Sequence, residues 1–132
     1  MRSNRIAVVV AATAVLLAGG IDGVRAASAA PTAADHCGGY WDTSWPPPEI
    51  VQGDVDTTSP SAVMLGQCYL NLSMSGDNLT VDGRFGPNTR LATVRFQQCA
   101  GIDDDGAIGP VTWPLLRSWA NSSGYVCDLD LP

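Results

Sequence analysis

The feature that most restricts the fold is an eight-residue segment that occurs twice, 23 residues apart. It reads Asp82-Gly83-Arg84-Phe85-Gly86-Pro87-Asn88-Thr89, and then Asp105-Gly106-Ala107-Ile108-Gly109-Pro110-Val111-Thr112. Five positions are identical, and Phe85 and Ile108 share apolar character. Asp before Gly marks a turn, because the carboxylate accepts hydrogen bonds from backbone N–H groups just ahead of it and glycine takes a positive φ without a Cβ clash. Gly before Pro opens a helix, since the fixed φ of proline suits the first helical position and its missing N–H costs nothing there. Each copy therefore reads as a turn that launches a helix. Two copies are too few for a stacking solenoid, so both serve one core.

Hydrophobic spacing fills in the helices. Ser59 as N-cap and Pro60 at the first helical position predict the start of helix one. Val63, Gln67, Leu70 and Met74 form its inner face, and the turn cluster at residues 75–78 ends it. Leu79-Thr80-Val81 suffices only for a strand fragment. Helix two begins at Pro87, carries Thr89, Ala92, Thr93 and Phe96 as its stripe, and ends at a left-handed Gly101 cap. Helix three is expected from Pro110 to about Trp119, with Trp113, Leu116 and Trp119 inward. Pro114 within it lacks the N–H that would bond the Pro110 carbonyl.

The flanks indicate export. Arg2 and Arg5 precede an apolar run over residues 6–18, and small residues follow at Ala27-Ser28-Ala29. This is the pattern of a secretory signal peptide over residues 1–29, with a second cleavage option after Ala26. The 13-residue run is too short to cross a bilayer, which takes roughly 20, so no membrane anchor is expected after cleavage. Arg2, Arg5, Arg25 and Asp22 leave with the leader. Four basic groups then face twelve acidic ones, and the net charge moves from −6 to −8. With no lysine at all, the chain is a poor partner for nucleic acid or an anionic lipid surface.

Residues 30–58 are poor in core formers and contain Trp45-Pro46-Pro47-Pro48, which favours an extended arm over a helix. Tyr40, Trp41 and Trp45 give the arm something to pack with. Cys37, Cys68, Cys99 and Cys127 are spaced too widely for a zinc site and read as two disulfides in an oxidising compartment. Three connectivities exist. Pairing Cys68 with Cys99 and Cys37 with Cys127 is preferred, because it nests one bond inside another that ties both ends, contributing about 3.7 and 4.6 kcal/mol in the chain-entropy model.

Taken together, Val63, Gln67, Leu70, Val81-Asp82-Gly83, Phe85-Gly86, Thr89, Ala92, Phe96-Gln97, Gly101-Ile102, Asp105-Gly106, Ile108-Gly109-Pro110, Thr112-Trp113 and Leu116 resemble the peptidoglycan-binding-like domain. The resemblance covers residues 59–119. It implies an all-α, compact three-helix fold, here stapled by disulfides, with residues 120–132 as a C-terminal tail tied by Cys127. It also implies binding to bacterial cell wall. Gly66 stands where that family has a larger apolar residue and Thr93 where Val is usual, so a thinner core is expected.

No catalytic constellation is evident. His36 is the single histidine and neighbours Cys37. Asp103-Asp104-Asp105-Gly106 fails as a calcium loop, since alignment on Gly106 leaves the first and twelfth ligand positions as Gly101 and Thr112. Asp82 and Asp105 are each explained by their own turn. No cofactor or metal is expected, and the chain reads as a non-catalytic, monomeric, secreted module without a catalytic domain of its own. Binding asks for aromatic faces, amides and an Arg for carboxylates. Arg84, Asn88, Tyr69, Trp113 and Arg117 are the candidates, with a core role as the competing account of Trp113. An extracellular protein-interaction or inhibitor module reusing the fold is the alternative, which an undocked aromatic arm would favour.

Overall fold

The computed structural model describes residues 36–41, 44–58 and 60–132, all within one unit running from Pro31 to Pro132. The leader and Ser59 lie outside the described residues. A single 3-10 turn, Gly38–Tyr40, precedes helix α1 (Ala62–Ser73), strand β1 (Met74–Gly76), helix α2 (Pro87–Ala100), helix α3 (Thr112–Ala120) and strand β2 (Cys127–Leu129).

Helix α1 is the central element and packs against both α2 and α3. Val63, Gln67, Leu70 and Met74 are all buried, as the spacing requires, with Leu65, Gly66 and Tyr69 widening the face. The helix begins later than Ser59-Pro60 suggests. Its N-cap is Ser61, whose side chain makes no capping bond. The carboxylate of Asp56 does that instead, accepting from the N–H groups of Val63 at 3.1 Å and Met64 at 2.9 Å. A local cap is thereby replaced by one delivered from the arm, which satisfies the same unpaired first-turn donors.

Helix α2 matches expectation: Pro87 opens it, and Gly101 ends it at φ 74° while donating its N–H to the helix's last turn. Helix α3 starts at Thr112, two residues after Pro110. Pro114 consequently lies in the first turn, where its missing N–H sacrifices little.

The strand and disulfide expectations also fail. Residues 79–81 form no strand; Leu79 is instead held by Asn71, which donates to its carbonyl at 2.9 Å and accepts its N–H at 2.7 Å. The strands are β1 and β2, which pair in parallel with Met74 opposite Cys127 and Gly76 opposite Leu129, so the fold is all-α only approximately. The disulfides join Cys37 to Cys68 and Cys99 to Cys127, not Cys68 to Cys99 and Cys37 to Cys127. One fixes the start of the arm to α1, and the other fixes β2 to α2. The preference for nested loops weighed only the entropy of the unfolded chain; the packing of β2 beside β1 and α2 decided the partners.

The thinned core at Gly66 is also not found. A Cβ there would lie 3.1 Å from Cδ1 of both Ile108 and Ile50, so side chains from the second turn and the arm already occupy that volume. Ile50 is 4% exposed and belongs to the core.

Candidate functional site

Each copy of the repeated turn is built around a buried glutamine that lies outside the eight residues. Gln67, on α1, donates through Nε2 to Asp82 Oδ1, the Arg84 carbonyl and Thr89 Oγ1, all at 3.0 Å. Its Oε1 accepts from the N–H groups of Asp82 and Gly83. Gln97, on α2, repeats this with Asp105 Oδ1, the Ala107 carbonyl and Thr112 Oγ1 as acceptors, while its Oε1 accepts from Gly106. Three of the five identical positions of the repeat are thus ones the glutamine reads: the Asp, the Gly at φ 75° or 77°, and the closing Thr. Asp82 and Asp105 also accept from the backbone N–H two residues ahead. The Arg84 N–H and the Gln67 amide hold the Asp82 carboxyl below its ordinary value. Both aspartates are therefore engaged in turn architecture.

The arm completes both turns through the same position. Phe85 donates its N–H to the Asp54 carbonyl and accepts from Gly53; Ile108 exchanges both bonds with Ile50. Phe85 and Ile108 are buried beneath it. The arm is accordingly part of the fold, and the candidates Trp113, Tyr69 and Arg117 end up under it or against it. Trp113 is fully buried, with its indole N–H donated to the Pro48 carbonyl at 3.1 Å. Trp45 stands edge-on to Trp113 and tilted against Tyr69, with centroids 6.1 and 6.4 Å away, and Arg117 lies 4.6 Å over the Trp45 ring. Burial raises the Tyr69 phenol above its ordinary value, with Arg117 opposing. Trp113 is a core residue, while Tyr69 and Arg117 belong to an aromatic cluster that the arm closes.

Arg84 and Asn88 are placed differently. Both are exposed and line a cavity of about 440 Å³ beside the first turn, together with Asn78, Thr80, Pro87 and Leu131. They occupy the third and seventh positions of the repeat, which are free to vary because no glutamine bond uses their side chains. At the corresponding places the second turn carries Ala107 and Val111. The two copies share a frame and differ in what they display. Sequence reasoning selected Arg84 and Asn88 but missed Asn78, Thr80 and Leu131, which reach the cavity from the loop after β1 and from the chain beyond β2. It also missed the two glutamines as turn holders, although Gln67 and Gln97 stand on inner helix faces where a polar residue is itself a signal.

The family model described as "Putative peptidoglycan binding domain" matches residues 59–116, the segment that contains both turns and both glutamines. The chain belongs to this peptidoglycan-binding domain family. It is also 38% identical over 112 residues to an uncharacterized protein in the bpoA1 3' region of Kitasatospora aureofaciens, a match spanning 85% of this chain and 89% of that one. A shorter match, 46% identical over 39 residues, links it to the zinc D-Ala-D-Ala carboxypeptidase of Streptomyces albus G, covering 30% of this chain and 15% of the enzyme. Outside the family segment, the chain adds the docked arm and strand β2, which pairs with β1 inside the segment. Among the described residues no cluster of His, Cys, Asp or Glu is placed to hold a metal, and no helix is long and apolar enough to cross a membrane.

Proposed function

We propose that this chain is an exported, non-catalytic, monomeric module that binds bacterial peptidoglycan through the cavity beside Arg84 and Asn88. The observation that carries the reading is the coincidence of the family match with the double-turn frame, whose variable positions present a guanidinium and an amide to solvent only at the first turn. Two disulfides suit an extracellular or wall-associated location. The absence of lysine and the acidic balance suit a ligand that is not a polyanion.

The interaction-module alternative drew its support from an undocked aromatic arm. Trp45 keeps 36% of its surface exposed but packs with Tyr69, Trp113 and Arg117, and Ile50 is buried; an arm packed on the core in this way favours wall binding. The test is sedimentation of the oxidised mature protein with insoluble peptidoglycan of several chemotypes. Retention on at least one is expected. Failure to be retained on all of them sinks the proposal.

A further inference from the structure

Peptidoglycan has two chemically distinct parts, a neutral amino-sugar glycan with lactyl ethers and short peptides that carry free carboxylates. From the lining of the cavity we infer that its ligand is the stem peptide, held by a carboxylate on Arg84, and that the glycan strand is not its primary contact. This rests on the wall-binding reading and goes further in naming the recognised part.

Three observations support the assignment. Sugar rings are recognised by aromatic faces, and the cavity has none among its lining residues. Trp45, Trp113 and Tyr69 pack on one another on the arm side, away from the cavity lining, with Trp45 keeping 36% of its surface exposed. In place of an aromatic platform the cavity offers one guanidinium, the Asp82 carboxylate beside it, the Asn78 and Asn88 amides and the Thr80 hydroxyl, next to the short apolar surfaces of Pro87 and Leu131. That set matches an extended peptide: amides for its backbone, small apolar surfaces for alanine methyls, and a planar fork for a carboxylate.

The second observation concerns Arg84 itself. No salt bridge or side-chain hydrogen bond joins its guanidinium to another described residue, whereas its backbone is fixed on both sides by Gln67 and Asp82. The main chain is anchored and the charged end is left available. Asp82 also lines the cavity and attracts the guanidinium, but it turns one oxygen inward to the Gln67 amide and the Arg84 N–H, which lessens its claim.

The third is the internal comparison. The second turn has the same frame, the same glutamine and the same arm contact, yet displays Ala107 and Val111 where the first displays Arg84 and Asn88. The cation is not a requirement of the turn; its presence at one copy is a property of the cavity there.

The test is competition against sedimentation with insoluble peptidoglycan, using two soluble probes: a synthetic stem pentapeptide with free carboxylates and an N-acetylglucosamine oligomer. The pentapeptide is expected to release the bound protein and the oligomer is not. Amidating the peptide's carboxylates one at a time should show which of them Arg84 holds. Arg84→Gln should weaken pentapeptide binding about tenfold to a hundredfold, the worth of a charge-assisted pair, and Arg84→Lys should recover only part of it. Arg117→Gln, on the aromatic cluster, should leave pentapeptide binding unchanged. Release by the sugar oligomer with no effect of the pentapeptide overturns the assignment while leaving wall binding intact. So does unaltered competition by the fully amidated peptide, a result that needs no variant. Failure of the native protein to sediment at all removes the underlying reading and this inference with it.

Discussion

Replacing Gln67 by Met tests whether the buried glutamine holds the turn. Gln67 is 1% exposed, and its amide meets five polar groups of the first turn. Methionine preserves the volume, so packing should change by less than about 1.5 kcal/mol. What is lost is polar satisfaction. Asp82 and Arg84 lie at the surface, where water can take over their bonds. The Gly83 N–H and Thr89 Oγ1 are buried, and each buried group left without a partner costs about 1–3 kcal/mol. A loss of about 2–5 kcal/mol follows, a large share of the 5–15 kcal/mol typical of whole domains. In urea denaturation followed by circular dichroism, at a slope of about 1–1.5 kcal/mol per molar, the midpoint should fall by about 1.3 M or more. Gln97→Met should behave alike, and because the two glutamines share no partner, the double variant should add within about 0.5 kcal/mol. A Gln67→Met protein within 0.5 kcal/mol of the native one, with the Gly83 amide as protected from exchange as before, would refute the reasoning.

Three further outcomes are expected. Asp56→Ala removes the cap that the arm supplies to α1 and should cost about 1–2 kcal/mol in the same denaturation assay, with Ser61→Ala costing far less because its hydroxyl makes no capping bond. Gly76→Ala places a Cβ 2.5 Å from the Leu129 carbonyl at a residue with φ 90°, so it should separate β2 from β1 and lower stability by more than about 1 kcal/mol, measured by thermal unfolding and by loss of exchange protection at Asp77. The raised phenol of Tyr69 means that above the ordinary tyrosine value of about 10 the unfolded chain ionises while the folded one remains protonated. Stability should be full below that pH and decline above it, and Tyr69→Phe should flatten the decline in denaturation profiles taken on either side of it.

The sequence was most informative where the physics is local. Asp-Gly and Gly-Pro carry their conformational preferences with them, so both turns, the opening of α2 at Pro87 and the Gly101 cap could be read from neighbouring residues alone. Helix faces were legible for the same reason, since spacing along a helix is fixed by its own geometry. The start of α1 was not, because its cap comes from Asp56, several residues upstream across an irregular segment. Nor was the fit at Gly66, where the filling side chains come from the arm and the second turn. The site divides along the same line. Arg84 and Asn88 could be nominated as turn residues and a core role was already the competing account of Trp113, but the place of Tyr69 and Arg117 in the aromatic cluster depends on the arm lying over that face.

By itself, then, the sequence determined the repeated turn, the three helices and the membership of the family, because backbone preference and periodicity act over a few residues. Only the tertiary structure decided the cysteine partners, the β1–β2 pairing and the face left open. Those depend on which distant segments compete for the same surface, and here the arm takes the aromatic side with Ile50 and Trp45 and pairs with the backbone of the first turn, leaving the Arg84 side chain exposed on the cavity side.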